Sequence, residues 1–345
     1  MVDIQSKNTE KVSETRNHPM VSVTMSAYNA TEFLRECLEN ILGQTFTDFE
    51  LIIVDDGSSD STREILLEYA DRDARIHLIL KDCNEGLAIA RNDAIAAAIG
   101  KYITFIDADD IPDINLLYRA VGTAESTNAD MVIWDYVPFT NSADLKPEPA
   151  SKLSLLNASD KLDLLDLPAF AWTKLIRTSV VKKLSVTFPE KLTYQDMLVH
   201  WHLVTQLDQI ILLPEKLYFY RQQPAATTSG KSWKRADIII IFGLIKEYLI
   251  NSDLFDLYKD TFIKKELNHL YGVYDVVSDD LKPQALILIK DKITSDHWEY
   301  INSKKEMRWR ARAMFKQMQG SKYAQAKLML WCFVRSIYRR LKAFN

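Results

Sequence analysis

Along the first 110 residues, short apolar runs alternate with segments whose apolar positions recur at helical spacing. Residues 21–25 are apolar, rich in β-branched side chains and bounded by polar positions, the pattern of a buried strand. Phe33, Leu34, Cys37, Leu38, Ile41 and Leu42 then mark one face of a helix. Asn29 and Glu32 stand ahead of them at capping-box spacing, with Asn in place of Ser or Thr. Residues 51–54 predict a second strand that ends at Asp55-Asp56-Gly57, and a helix follows over 62–69. A third strand is expected over 76–80 and an Ala-rich helix over 86–99, with Gly100 as its stop. Residues 102–106 predict a fourth strand, running into Asp107-Ala108-Asp109-Asp110.

Strands alternating with helices build βαβ units and hence an α/β fold with a mostly parallel central sheet. Ligands of such sheets sit outside the carboxyl ends of the strands. Three polar clusters fall at those ends: 26–29, 55–59 and 107–110. Asp, Gly and Ser favour turns, so any one cluster is explained as a turn; three at equivalent places point to a site. Further along, 131–137 reads as a strand and 140–151 as a loop holding Pro147 and Pro149. Residues 210–213 and 217–221 read as two short strands flanking Pro214, and the pattern turns helical from about Trp233.

Composition narrows the classes. With 47% apolar and 26% charged residues the chain is an ordinary globular one, and a net charge of −4 excludes a whole-chain nucleic-acid binder. Cys37, Cys83 and Cys332 are odd in number and lack metal-ligand spacing, which suits a reduced, cytoplasmic protein. Residues 1–19 are polar and charged and predict a disordered leader, not a secretory signal. No uninterrupted apolar stretch approaches the ~18 residues of a spanning helix.

Asp107 and Asp109 lie two apart at a strand end, so their side chains share a face. Carboxylates so placed repel unless a cation joins them. Mg²⁺ or Mn²⁺ suits hard oxygen ligands and commonly binds one or two carboxylates together with substrate phosphates. Alone, such a short pattern is more often a solvated acidic turn.

Its context is more specific. The chain resembles the family-2 glycosyltransferases, with the GT-A fold, over roughly residues 20–230. The resemblance runs in order through 21–29, Gln44-Thr45-Phe46, 50–58, Asn84-Glu85-Gly86 with Ala90-Arg91-Asn92, and 102–110 with Pro112. It continues through Trp172-Thr173-Lys174, Tyr194-Gln195-Asp196 and Tyr218-Phe219-Tyr220-Arg221. It implies a GT-A domain over 20–230, followed by a helical region over 231–345. It further implies that Ser26, Tyr28 and Asp55 line the nucleotide, the ring stacking on the base and the carboxylate accepting an N–H. Uracil carries such an N–H, so the donor implied is a UDP-sugar. Arg91 is then expected near the phosphates or the metal carboxylates, Asp109 as direct metal ligand, and Asp107 at the ribose or the metal. Asp196 is the implied general base: a sugar hydroxyl must lose its proton as it attacks. In-line attack inverts the anomeric centre.

Departures from the family pattern are local. Ser26 stands for Pro and Thr173 for Asn, and Ala225-Ala226 replace a Gly-Ser pair. Gln195 stands where the family has Glu; an amide cannot act as a carboxylate base, so that role falls on Asp196 alone. Ser229-Gly230-Lys231-Ser232 imitates the end of a P-loop, but Ala225 occupies the required Gly position. His200 and His202 lie two apart on a helix and cannot share a face; they read as structural.

Beyond Lys304 basic residues far outnumber the single acid, Glu306. Within residues 327–344, Leu330, Val334, Ile337, Leu341 and Phe344 recur at helical spacing while Arg335, Arg339 and Lys342 fall on another face. Such a helix either lies on an anionic membrane surface or packs on protein. The implied partners are a nucleotide-sugar donor and a saccharide or lipid-linked saccharide acceptor at the inner face of the cell membrane, with no nucleic acid. The rival reading is an inactive, nucleotide-sugar-binding relative serving as a partner subunit. Asp55, Asp107, Asp109 and Asp196 together argue against it, and 26–30 lacks the Gly-rich basic loop a nucleotidyltransferase needs.

Overall fold

The computed structural model describes residues 18–144, 156–157, 161–223, 233–303, 307 and 309–320. The chain divides into two compact units, the first comprising Met1–Lys191 with Gln195–Pro224 and the second Leu192–Tyr194 with Ala225–Asn345. The basic 327–344 segment and the P-loop-like 229–232 lie outside the described residues.

The first unit is built on one sheet. Val21–Ala27 (β1), Phe49–Asp55 (β2), Ile76–Leu80 (β3) and Tyr102–Asp107 (β4) run parallel in the order β3-β2-β1-β4. Leu34–Leu42 (α1), Thr62–Arg72 (α2) and Leu87–Ala97 (α3) connect them. Every residue of β2 is buried, as expected for a parallel strand covered on both faces. That burial includes Glu50, whose carboxylate accepts from Ser22 Oγ at 2.6 Å and Ile99 N at 3.0 Å. The order reverses direction at β1, which makes its carboxyl end the switch point where open α/β sheets bind ligands. Register completes the placement: Ala27 lies opposite Asp55 and Ser26 opposite Asp107. The three polar clusters therefore meet at one edge.

Beyond β4 the sheet becomes mixed, in the order β4-β8-β6-β9-β5 with β7 on β9. Its elements are Ile111–Pro112 (β5), Leu116–Thr127 (α4), Met131–Phe139 (β6), Leu156–Asn157 (β7), Lys161–Asp166 (α5), Lys174–Arg177 (β8), Thr178–Lys183 (α6), Asp196–Gln206 (α7) and Ile210–Arg221 (β9). β8 enters antiparallel between β4 and β6.

Three local expectations are corrected. Asn29 is no helix cap: its backbone is left-handed (φ 49°), its Oδ1 accepts from Ser59 N at 2.9 Å, and α1 starts only at Leu34. The two strands expected around Pro214 are one, because a bulge shifts the partner from Leu213 to Lys216 between Trp134 and Asp135. Proline lacks the N–H a regular ladder requires, and the bulge absorbs it. Gly100 does not stop α3, which ends at Ala97. A Cβ there would lie 2.5 Å from Ser22 N, so glycine is required by the close approach of β1.

The second unit is helical: Asp237–Asn251 (α8), Phe255–Val276 (α9), Lys282–Lys292 (α10), Ser295–Asn302 (α11) and Trp309–Met318 (α12). Ile238, Ile241, Phe242, Ile245 and Leu249 form the buried stripe of α8. Phe242 meets Phe262 of α9 edge to face, with centroids 5.7 Å apart.

The two glycines Gly100 and Gly122 test this reading of backbone against space. Gly100→Ala is expected to destabilise by about 1–3 kcal/mol through overpacking. Gly122→Ala, exposed in mid-α4 with nothing near its added Cβ, is expected to stabilise by about 0.5–1 kcal/mol. Denaturant titration reads both; equal effects would reject the packing argument.

Candidate active site

The site is organised by a buried cation. Arg91, on α3 and only 4% exposed, donates from Nη2 to Asp107 Oδ1 at 3.0 Å and from Nη1 to Asp196 Oδ1 at 2.5 Å. One guanidinium thus joins the end of β4 to the first residue of α7. Burial works against its charge, but the two carboxylates outweigh burial and hold it protonated. Its face lies over the Phe188 ring, 5.2 Å from the centroid. Asp196 has further support: its Oδ2 accepts from Ala171 N at 3.1 Å, and it sits in the first turn of a helix, where the dipole favours a carboxylate.

The loop after β4 is dense in acid. Asp107 N donates to the Tyr218 hydroxyl at 3.1 Å, and Asp110 Oδ1 accepts from Arg221 N at 2.7 Å. Asp109 is held at its carbonyl by Arg221 Nε (2.6 Å) and at Oδ2 by Gln223 Nε2 (2.8 Å). Arg221 itself lies between the Phe33 and Phe139 rings and pairs with Glu36 at 2.6 Å. Burial, and then the neighbouring carboxylates, push Asp109 up to about 6 and Asp110 up to about 9; Asp107 is also raised, chiefly by burial. The loop therefore holds more carboxyl groups than Arg91 and Arg221 can stabilise as anions together, and proton uptake at Asp110 relieves part of the surplus.

A divalent cation fits that surplus. Among the described residues no group of three or more His, Cys, Asp or Glu side chains is arranged to hold an ion by itself. This donor set matches an ion that takes one or two carboxylates and completes its shell with substrate phosphates.

At the other end of the site, Tyr28 is half-exposed, and Ser26 lies opposite Asp107. Asp55 stands apart from the Arg91 group: Oδ1 accepts from Ser58 N at 3.0 Å and Oδ2 from Arg63 Nε at 2.6 Å. Asp56 holds the turn that leads into α3, accepting from Glu85 N (3.0 Å) and from Gly86 N (2.8 Å). His200, expected to be structural, bonds the Leu164 carbonyl at 3.0 Å.

Several features here went unread in the sequence. Arg63 and Gln223 gave no signal by spacing, and Arg221, marked only as part of the closing strand, gave none of its contacts to Asp109 and Asp110. An aromatic stack is another: Trp172 lies parallel to Phe170 (4.6 Å) and to Tyr218 (4.5 Å), with Tyr220 and Tyr136 against it. Lys174 anchors the turn that carries Phe170 and Trp172, donating from Nζ to Phe170 O at 2.5 Å and Thr173 Oγ1 at 3.1 Å.

Residues 22–184 match the family model for Glycosyl transferase family 2. The glycosyltransferase GlyG of Streptococcus pneumoniae is 30% identical over 241 residues, covering 65% of this chain and 78% of GlyG. This chain belongs to glycosyltransferase family 2. EpsJ of Bacillus subtilis is 31% identical to this glycosyltransferase over 220 residues, which span 61% of the chain and 63%, under two thirds, of EpsJ. The crystal structure of S. aureus TarS 1-349 in complex with UDP-GlcNAc aligns over 93% of the glycosyltransferase and 91% of that chain. At 22% identity and a TM-score of 0.68, that likeness shows the GT-A fold.

Lys174 gives this glycosyltransferase a pH-dependent stability. Burial pulls its ammonium down to about 7, against about 10.4 in an unfolded chain. Between those values the unfolded state binds the extra proton, so stability rises with pH. From about pH 7 to about pH 9 the wild type is expected to gain on Lys174→Met, by at most about 1.4 kcal/mol per unit. Denaturant melts measure the difference, and parallel stabilities across that range would contradict it.

Proposed function

We propose that this glycosyltransferase moves a sugar from a UDP-sugar to a hydroxyl of a saccharide or lipid-linked saccharide, with inversion, in the building of a cell-surface polysaccharide. The observation that carries the reading is the Arg91 bridge, which brings a carboxylate of the strand-end acidic loop and a helix-start carboxylate to one point. Donor and acceptor chemistry need that adjacency.

In this reading the acceptor oxygen attacks the anomeric carbon on the face opposite the diphosphate. Its proton passes to the Asp196 carboxylate, the bond to the diphosphate breaks, and the electron pair leaves with the diphosphate oxygen. Arg91 and Ala171 N hold Asp196 in place for that transfer. Tyr28, Ser26 and Asp55 form the nucleotide end. Asp109, with Asp107, would hold Mn²⁺ or Mg²⁺, which supplies positive charge for the departing diphosphate. The stack around Trp172, next to Ala171, gives apolar faces suited to the C–H surfaces of an acceptor sugar. The basic run beyond Lys304 supports a peripheral contact with anionic lipid at the cytoplasmic face; no helix of the described residues is long and apolar enough to cross a membrane.

The test is binding and turnover across UDP-, GDP-, dTDP- and CMP-sugars, with Mn²⁺ or chelator, beginning with UDP-GlcNAc, the donor bound in the TarS crystal. Asp109→Ala is expected to remove the metal-dependent part of donor binding. Asp196→Asn is expected to keep donor binding and lose about 10²–10⁴-fold in kcat, the usual worth of a positioned base. Donor binding and turnover unchanged in both variants would overturn these assignments.

A further inference from the structure

Lys174 occupies a position where an apolar side chain would serve the core better. It is 1% exposed, so its amine cannot touch a substrate, and burying it is costly. Its Nζ holds the Phe170 carbonyl oxygen. Thr173 Oγ1 donates to that same oxygen at 2.8 Å and accepts from Nζ at 3.1 Å, which closes a triangle. Thr173 N adds a longer bond to it at 3.4 Å. The Phe170 ring lies parallel to Trp172, so the carbonyl and the side chain of this residue are both fixed.

The other end of the same peptide group is the Ala171 N–H, which donates to Asp196 Oδ2 at 3.1 Å. A peptide is planar, so a carbonyl pinned by three donors also fixes the direction of the N–H. Donation to the carbonyl draws electron density from the nitrogen and makes its N–H the stronger donor, as in any chain of hydrogen bonds in a low dielectric. The chain runs from Lys174 Nζ through Phe170 O and Ala171 N to Asp196 Oδ2. The two oxygens of Asp196 are not equivalent. Oδ1 meets the full charge of the Arg91 guanidinium, whereas Oδ2 accepts, among the described residues, only from a neutral amide. An incoming proton is repelled by the guanidinium and better received at Oδ2.

We infer that Lys174 is a positioning residue for Asp196: through the Phe170–Ala171 peptide it sets the direction of Oδ2, the oxygen that takes the acceptor's proton. The inference rests on the reading of Asp196 as the base. In that step the acceptor O–H bond breaks and its proton bonds to Oδ2. The electron pair left on the acceptor oxygen forms the bond to the anomeric carbon as the diphosphate departs with its own pair. Lys174 neither gives nor takes a proton.

Two variants cut the chain at different links. Lys174→Met removes the donor and keeps an apolar stem. Ala171→Pro removes the N–H itself; Phe170 is extended (φ −50°, ψ 132°) and Ala171 opens a short 3₁₀ turn, a place that proline accepts. With UDP-GlcNAc in Mn²⁺ and water as acceptor, each is expected to lower kcat at least tenfold and to leave the KM for UDP-GlcNAc within twofold. Added to Asp196→Asn, Lys174→Met is expected to cost less than a further twofold, because it acts only through Asp196. The Ala171 amide proton, followed by NMR on ¹⁵N-alanine-labelled protein and assigned by its loss in Ala171→Pro, is expected to move upfield in Asp196→Asn and in Lys174→Met alike. This signal reads the chain whichever donor the protein accepts. Wild-type kcat or an unmoved Ala171 signal in Lys174→Met, or a further tenfold loss when it is added to Asp196→Asn, overturns the inference and leaves Asp196 as the base. Wild-type turnover in Asp196→Asn overturns the proposed function instead, and the role of Lys174 with it.

Discussion

The guanidinium of Arg91 is the constraint around which the acidic end of the candidate site is arranged. Asp107 ends a strand and Asp196 begins a helix 89 residues later, and nothing in the sheet ladder joins them. Two partly buried carboxylates brought together without a cation would raise each other's proton affinity and push the elements apart. With Arg91 between them the same placement is favourable. The guanidinium is rigid, planar and always charged, so it fixes direction as well as distance. A lysine ammonium would satisfy the charge and leave the angle free.

The same device recurs at two of the three polar loops of the strand edge. Arg63 holds Asp55 after β2, Arg91 holds Asp107 after β4, and Arg221 holds the Asp109 carbonyl and, through its own backbone N–H, Asp110. Each arginine comes from an element other than the loop it pins. Loops at strand ends are otherwise the mobile part of an α/β fold. Here they are cross-braced by charge-assisted bonds, while Asn29, Ser58 and Ser59 tie the first loop to the second. Precision at the site thus comes from arginines anchored in the scaffold, not from the loops themselves.

That division explains what was legible in the sequence. The buried strands β1 to β4 announce themselves because parallel strands covered on both faces read as continuous apolar runs. Their terminal clusters stand out because three of them fall at equivalent strand ends, where one alone would read as a turn. β5 has two residues and β8 four, too few to show a period, and β8 joins the sheet through antiparallel pairing that no local pattern encodes. Asn29 misled because the residues that favour helix caps also favour left-handed turns. Pro214 misled because a bulge, set by the partner strand, keeps one strand where proline usually divides two. The contacts of Arg221 were illegible because Asp109 and Asp110 lie more than a hundred residues away, and that of Arg63 because a turn, not a helical period, carries it back to Asp55.

The acidic loop shows what this arrangement costs. Glu36 already occupies part of the Arg221 charge, and burial raises Asp107, Asp109 and Asp110, the last two also through neighbouring carboxylates of the loop. A fold selected for stability alone would replace at least one of these carboxylates, since an apolar or amide side chain would relieve the repulsion. Keeping them is consistent with the proposed reaction, in which Asp109 and Asp107 would share a divalent ion with the donor's phosphates, neither set of oxygens sufficient alone. Donor affinity would then be conditional on both.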